Sequence, residues 1–188
     1  MKINKQSTGL VIIDLQKGIA GRETKPHSSK TVCANAALLA DAFRKNNLPV
    51  FLVHVVSKDV ERLRPESDEK TVFPAELPKD WADFVPELGP KENDIIIVKK
   101  QWGAFYGTEL ELQLRRRKID TIVLSGISTT YGVESTARFA YEYGFRQIFA
   151  EDAMASMNEE SHNASINFVF KRIGLVRKTA EILESLSQ

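Results

Sequence analysis

The sequence predicts a three-layer αβα protein with a mostly parallel, Rossmann-like sheet of about six strands and helices on both faces. Two observations predict it. Short aliphatic runs alternate regularly with segments of helical periodicity, as expected when parallel strands are joined by crossover helices. Polar and charged residues follow several of these runs directly, which is typical of strand ends that line a ligand crevice. The stretch TIVLSGISTTYGVESTAR, 121–138, shows both features in one segment.

Length and composition are those of an ordinary globular protein. The 188 residues fit one domain, 1–188, and the 43% hydrophobic and 27% charged shares are average for this class. A net charge of +1 gives no reason to expect a nucleic-acid or membrane partner. The first residues form no hydrophobic signal segment, so we expect a cytoplasmic protein.

The first strand is predicted over Gly9–Gln16, which places Asp14 at its C-terminal tip. After a charged loop, Ser28 or Ser29 can cap a helix that runs to about Asn46. Cys33, the only cysteine, falls inside this helix, where a buried apolar role is favoured over catalysis. A single cysteine also excludes an intramolecular disulfide and a cysteine-based metal cluster.

The second strand is predicted over Leu48–Val56 and contains His54. A histidine within a strand is more often a sheet residue than a ligand, and no paired-histidine spacing follows it. We therefore expect no metal site and no cofactor. The proline-containing segment 57–93 is irregular and is expected to serve either function or a partner contact. Arg62 or Arg64 within it can bind an anionic substrate, although solvation is the simpler interpretation.

The third strand is predicted over Asp94–Lys100 and ends in two lysines. Because side chains alternate along a strand, only one of Lys99 and Lys100 can face a site at the sheet edge. A glycine-containing segment then leads into the helix ELELQLRRRK, for which Thr108 is a suitable N-cap.

The fourth strand, Thr121–Ser125, opens a turn that continues into a helix from about Thr130 to Tyr143, which ends at Gly144. The fifth strand is predicted over Arg146–Ala153. The remaining elements are a helix over 159–170, an edge strand at GLVRKT and a C-terminal helix.

The strand ends carry groups of complementary chemistry. Glu151 and Asp152 are expected at the tip of the fifth strand. Asp14, Lys99 or Lys100, the turn after the fourth strand, and Asp152 can meet in one crevice. A carboxylate beside an ammonium and a turn at a helix start makes a proton-transfer site with backbone amides for an anion.

The ordered motifs resemble the isochorismatase-like hydrolase superfamily, also called the cysteine hydrolase family, over nearly the whole chain. They are a strand ending D-x-Q at Asp14–Gln16, the pattern K-x-x-x-[SG]-A-F at Lys99–Phe105, and the turn GISTTYGVESTA at 126–137. The resemblance implies a hydrolase that acts on a small molecule.

The family's triad of Asp, Lys and Cys falls on Asp14, Lys99 and Gly132, so the resemblance implies that the catalytic cysteine is missing. Amide hydrolysis through a covalent acyl-enzyme is then excluded. By analogy with isochorismatases that also have glycine here, Asp14 becomes the general acid, Lys99 tunes and positions it, and Gly132 leaves space for substrate. Burial raises a carboxyl pKa and an ammonium lowers it, and the sequence leaves that balance open.

The resemblance also implies a cis peptide bond at Ile127–Ser128 that turns amides toward the substrate as an oxyanion hole. The candidate pocket residues are Gln16, Trp102, Phe105 and Tyr131, of which Trp102 and Phe105 can equally belong to the core.

A homodimer or homotetramer is expected from the same resemblance, with contacts at the 57–93 segment or near Tyr141 and Tyr143. The alternative to an enzyme is a catalytically silent member that binds a small ligand or acts through its assembly.

Overall fold

The computed structural model describes residues 2–56, 63, 65–69 and 76–187, so Arg62 and Arg64 lie outside the described residues. Within this part of the chain, six parallel strands form one sheet in the order β3-β2-β1-β4-β5-β6, which confirms the predicted fold class. The strands are β1 (Thr8–Ile13), β2 (Val50–Val55), β3 (Ile95–Lys99), β4 (Thr121–Ile127), β5 (Arg146–Ala155) and β6 (Leu175–Arg177).

Helices connect the strands, and two π-helical segments adjoin them. The helices are α1 (Lys17–Ala20), α2 (Ser29–Lys45), α3 (Leu110–Arg116), α4 (Glu134–Glu142), α5 (Glu159–Ala164), α6 (Lys171–Ile173) and α7 (Thr179–Ser187), and the π-helical segments are Thr129–Val133 and Ser165–Phe170. In the described part of the chain, no helix is long and apolar enough to cross a membrane.

The central strand β1 is buried along its whole length because both faces of the sheet are covered. Leu10 and Ile12 join the core cluster that contains α2, whereas Val11 and Ile13 join the cluster that contains α4. This alternation follows from the two-residue period of a strand. The third strand ends at Lys99, one residue before its predicted end. The central strand ends at Ile13, earlier than predicted, and Asp14 follows it directly, as expected for a residue at the strand tip.

Several boundaries differ from the sequence-based expectation. Ser28 is the N-cap of α2, as expected. The N-cap of α3 is Glu109 and not Thr108, although the Thr108 hydroxyl oxygen accepts the N–H of Leu110, the first residue of that helix. Part of the predicted loop after Gln16 forms the short helix α1. The predicted edge strand is confirmed as β6 beside β5.

The fourth and fifth strands extend beyond their predicted ends. Strand β4 continues to Ile127, and a π-helical segment precedes α4 because the Val133 N–H donates to the Ser128 carbonyl five residues earlier. Strand β5 continues to Ala155, so Glu151 and Asp152 lie inside the strand and not at its tip, which corrects the prediction. The pairing of the two strands shifts register between Leu124 and Gly126.

Gly126 brings the ends of β1 and β4 into close contact. Its φ is +123°, and a Cβ at this position would lie 2.0 Å from the Ile13 carbonyl oxygen. Residues with a Cβ rarely adopt this backbone conformation, and the Ile13 carbonyl group leaves no room for a Cβ, so only glycine fits at this position. This contact places the turn after β4 directly beside the residues that follow Ile13.

We therefore expect Gly126→Ala to lower the free energy of unfolding by more than about 3 kcal/mol, because the methyl group must displace backbone. Gly144→Ala is the matched control, since Gly144 also has a positive φ of 77° but nothing within 4 Å of its Cβ position. It should lose only about 1 kcal/mol. Urea unfolding of both variants measures the difference, and equal losses would contradict the close-contact argument.

Candidate active site

Asp14 and Lys99 meet at the ends of two strands that are not neighbours in the sheet. The Lys99 Nζ lies 2.7 Å from the Asp14 Oδ2, and the side chains are 2% and 6% exposed. Strand β2 separates β1 from β3, so the pair spans its tip. The structure thus brings together the two charged residues that the sequence places in one site, and it selects Lys99 over Lys100 as the partner.

The backbone at Asp14 holds its position at the tip of β1. Its φ is +53°, a left-handed conformation that Asp tolerates better than most residues, and its N–H donates to the Val53 carbonyl at 2.9 Å. The chain therefore turns sharply at Asp14 while remaining bonded to β2.

The Lys99 ammonium donates to three acceptors. Besides Asp14, its Nζ donates to the carbonyls of Gln101 at 3.1 Å and Trp102 at 2.9 Å. An ammonium has three N–H donors and no acceptor, so this geometry uses all of them. Lys99 is thereby held as a fixed cation beside the carboxyl group, and its arrangement suits positioning and charge stabilisation.

The two oxygens of the Asp14 carboxyl group have different surroundings. Oδ2 faces Lys99, whereas the buried Oδ1 has no hydrogen-bond partner among the described residues. Burial raises the pKa of the Asp14 carboxyl above its ordinary 3.8, and this effect exceeds the lowering by the Lys99 charge and hydrogen bond. Of the two opposing effects that the sequence leaves open, burial is thus the larger, and the pKa of the Asp14 carboxyl is raised.

Gly132 lies against this ion pair. A Cβ at Gly132 would lie 2.9 Å from the Ile13 Cγ2, 3.2 Å from the Asp14 Oδ2 and 3.5 Å from the Trp102 carbonyl oxygen. The expectation that glycine leaves space for substrate therefore does not hold for the volume of a Cβ, because Ile13 and Asp14 already border it. Any side chain here would have to move Ile13.

The turn between β4 and α4 is fixed by a serine that the sequence analysis did not identify. The Ile127–Ser128 peptide bond is cis, the geometry that the resemblance implies. The Ser156 Oγ lies 3.0 Å from the Ser128 Oγ and accepts the Thr130 N–H at 3.1 Å. Ser156 follows β5, the neighbour of β4, and this adjacency is the signal that could have indicated it.

Gln16 has a structural task and does not line a pocket. It is fully buried, and its Nε2 donates to the carbonyls of Val55 at 3.1 Å and Trp81 at 3.2 Å. Its Oε1 accepts the Val55 N–H at 2.9 Å. These bonds fasten the end of β1 to the end of β2, so both amide donors are unavailable to a substrate.

The aromatic candidates separate into core and surface. Phe105 is 6% exposed and packs with Phe145 and Tyr143, which favours the core over the pocket, the two alternatives left open by the sequence. Trp102 and Tyr131 are 62% and 43% exposed, and their ring centroids lie 4.8 Å apart. Because Tyr131 precedes Gly132 and the Trp102 carbonyl faces Lys99, this exposed pair borders the site.

Asp152 does not join the crevice, contrary to the expectation. Its Oδ1 accepts the N–H and the hydroxyl of Thr179, both at 2.7 Å, and so caps α7. The physical reason is the extension of β5 to Ala155, which leaves Asp152 short of the strand end.

The single cysteine of the sequence is part of the core. Cys33 is buried in α2, and burial, with a smaller effect of the Glu87 charge, raises the pKa of its thiol to about 11. Reactive cysteines have lowered pKa values, so this thiol has the opposite character.

A second group of ionisable side chains adjoins the turn through Thr129. The Thr129 Oγ1 lies 2.9 Å from the Nδ1 of His162, which is fully buried, and the His162 Nε2 faces Glu151. Hydrogen bonds from His162, Lys178 and His27 hold the pKa of the Glu151 carboxyl well below its usual range. Sequence reasoning missed this cluster because its members lie far apart in the chain.

Comparisons with known proteins identify the family and relatives of the same fold. The model of the isochorismatase domain matches residues 8–181. The uncharacterized isochorismatase family protein YwoC of Bacillus subtilis is 50% identical over 188 residues, which cover 99% of this chain and 97% of that protein. The structure of an isochorismatase family protein from Burkholderia thailandensis superposes with a TM-score of 0.94 at 39% identity, over 100% of this chain and 98% of that one.

A more distant structure shares the fold. The cysteine hydrolase from Pseudomonas syringae has a TM-score of 0.80 at 20% identity, over 100% of this chain and 95% of that one.

Proposed function

Because the chain belongs to the isochorismatase family, we propose that it hydrolyses a small molecule through acid–base chemistry of Asp14 and Lys99, without a covalent cysteine intermediate. The observation that carries the proposal is the buried Asp14 carboxyl, whose Oδ2 is held by Lys99 while Oδ1 has no partner in the described residues. A buried polar atom without a partner is rare in native structures and is typical of functional sites.

In this mechanism Asp14 is a general acid. Its raised pKa keeps a proton on Oδ1 at a higher pH than an exposed aspartate would, and this proton passes to the substrate. Lys99 stabilises the carboxylate that forms, since its ammonium is already in place. Vinyl ethers suit this chemistry, because protonation of the alkene carbon that does not carry the oxygen gives an oxocarbenium ion. Water adds to that ion and returns a proton to Asp14, and the resulting hemiketal then breaks its C–O bond.

The position of Gly132 supports a route without a thiolate. The only cysteine is buried in α2, and the Cβ volume at Gly132 is bordered by Ile13 and Asp14. By the resemblance, Gly132 stands where the family has its nucleophile. The Asp14 carboxyl group therefore lies next to the position that the side chain of a cysteine at residue 132 would occupy.

A second candidate function is a catalytically silent protein that binds a small ligand. The same observation at Gly132 favours it. The nucleophile of the family is absent, and Ile13 and Asp14 border the position where its side chain would stand, as expected for a site that binds a ligand without converting it. The exposed rings of Trp102 and Tyr131 then supply the binding surface. The two functions differ in whether any ligand is converted.

We also propose that the protein is a homodimer or homotetramer that associates through the surface of α4. Phe139 and Tyr143, four positions apart, stack with ring centroids 6.3 Å apart. Tyr141 projects from another face of the same helix end and is 54% exposed. Exposed aromatic side chains are enriched at protein interfaces.

The catalytic proposal predicts turnover of at least one member of a panel of vinyl ethers, amides and ureas. Asp14→Asn should lower kcat about 100-fold or more, and Lys99→Met about 10-fold. The matched controls are Asp80→Asn and Lys17→Met, which break an exposed pair with a similar 3.0 Å separation and should keep full activity. Reproducible binding of a panel member without conversion would instead favour the silent protein.

The pH dependence follows from the acid form of Asp14. Because its pKa is raised, kcat/KM should be highest at low pH and fall as the pH rises through that pKa. Lys99→Met removes the charge that lowers this pKa, so the falling limb of its residual activity should move to higher pH. Steady-state profiles of both proteins test this, and a limb that rises with pH would show that Asp14 acts as a base.

Assembly can be tested apart from activity. Light scattering at micromolar concentration should give the mass of a dimer or tetramer, and Tyr141→Asp combined with Tyr143→Asp should reduce it. Leu38→Asp is the control, because this 54% exposed residue lies on α2, over the other face of the sheet. A monomer in all cases would contradict the proposal.

A further inference from the structure

Three side chains from distant parts of the chain direct electron-pair donors at one point. The Nε2 of His27 lies 3.0 Å and the Nε2 of His162 lies 3.4 Å from the same oxygen, Oε1 of Glu151. All three atoms lie within 4.8 Å of one another. We propose that His27, Glu151 and His162 bind a divalent transition-metal ion of the zinc type, at a site separate from Asp14 and Lys99.

The spacing fits a zinc ion. Zinc binds imidazole nitrogen and carboxylate oxygen at about 2.0–2.2 Å, so neighbouring ligand atoms in a tetrahedral site are about 3.3 Å apart. The two nitrogen–oxygen distances at Glu151 lie on either side of that separation. The two imidazole rings are also nearly perpendicular, at 83°, so their nitrogens can converge without the rings stacking. The two nitrogens lie within 4.8 Å of one another, so closing the site requires the partly exposed His27 ring to move toward His162.

The buried histidine already has the support that metal ligands require. Its Nδ1 lies 2.9 Å from the Thr129 Oγ1, a hydroxyl that can accept an N–H. Without an ion, the His162 Nε2–H donates to Glu151; when Nδ1 instead carries the proton and donates to the Thr129 hydroxyl, the Nε2 lone pair is available to a metal ion. A hydrogen bond at the second ring nitrogen that fixes the tautomer is the usual feature of histidines that bind metals. His162 is therefore oriented before an ion arrives.

Lys178 competes with an ion but does not block it. Its ammonium contacts the other carboxylate oxygen, Oε2 of Glu151, and its side chain is 54% exposed. A dication at Oε1 would replace this charge, and the lysine can then extend into water. His27 and Glu151 are 23% and 16% exposed, so water can reach the fourth coordination position.

A bound ion would join three elements next to the turn. His27 follows Lys25, which pairs with Ser156 through N–H···O bonds of 2.8 and 2.9 Å, and Ser156 holds Ser128 and Thr130. The ion would thus connect the segment before α2 to β5 and α5. Its expected role is structural, and the site does not depend on whether the chain is an enzyme.

The experiment uses untagged, EDTA-treated full-length protein and two probes, Zn²⁺ and Co²⁺. Calorimetry should give one Zn²⁺ per chain with a raised Tm, because an ion that binds only the folded state stabilises it. Co²⁺ should develop visible absorption that reports a tetrahedral nitrogen–oxygen site. The absence of saturable binding by either ion would overturn the proposal.

Variants identify the ligands. His27→Ala and Glu151→Gln should weaken Zn²⁺ binding about 100-fold, and Thr129→Val should weaken it about 10-fold through His162. Lys178→Met should strengthen binding, since the competing charge is removed. The control is His54→Gln, because His54 is the one remaining histidine of the three in the sequence and its Nδ1 lies 2.8 Å from the Ala82 carbonyl oxygen.

Full binding by His27→Ala, or a loss in His54→Gln equal to that in His27→Ala, would place any observed ion elsewhere and overturn the assignment. His162 is left intact because it is fully buried, so a substitution there would disturb folding as well as binding.

Discussion

The buried ion pair between Asp14 and Lys99 is the interaction on which the arrangement of the strand ends depends. It spans the tip of β2, and its ammonium also binds the Trp102 carbonyl. A buried pair contributes little net stability, but removal of one partner leaves a charge without compensation, which is strongly unfavourable. The pair therefore fixes the relative positions of the ends of β1 and β3 more than it stabilises the fold, and that is the property a reaction site requires.

Ile13 connects this pair to the turn after β4. The Ile13 carbonyl oxygen lies close to Gly126, and the Ile13 Cγ2 lies close to Gly132. At both glycines an added Cβ would contact Ile13 too closely. A larger residue at either position would separate β4 from β1 and move the turn away from Asp14. The lack of a side chain at Gly132 is thus a packing requirement in this chain, whatever chemistry follows from it.

The sequence predicted the strands and the residues at their ends, because these follow from local patterns and from the order of the strands. It did not predict side-chain contacts between residues that lie far apart in the chain. Aliphatic runs identified the strands, and the common edge of parallel strands brought Asp14 to Lys99. Composition could not show that Phe105 turns into the core or that the amide of Gln16 binds backbone. His27 and Glu151 are 124 residues apart, so no local spacing indicated their contact.

Asp14, which is buried, and Glu151, which is partly exposed, carry carboxyl groups near the turn that differ in the donors around them. Glu151 receives hydrogen bonds from His162, Lys178 and His27, which lower its pKa, so it remains an anion suited to hold cations. Asp14 has one cationic partner and one oxygen without any, and burial raises its pKa. Groups whose environments move their pKa values apart are the ones that divide acid and anchor functions in a site. In the proposed mechanism this difference assigns proton transfer to Asp14, whereas the Glu151 anion holds His27, His162 and Lys178 beside the turn.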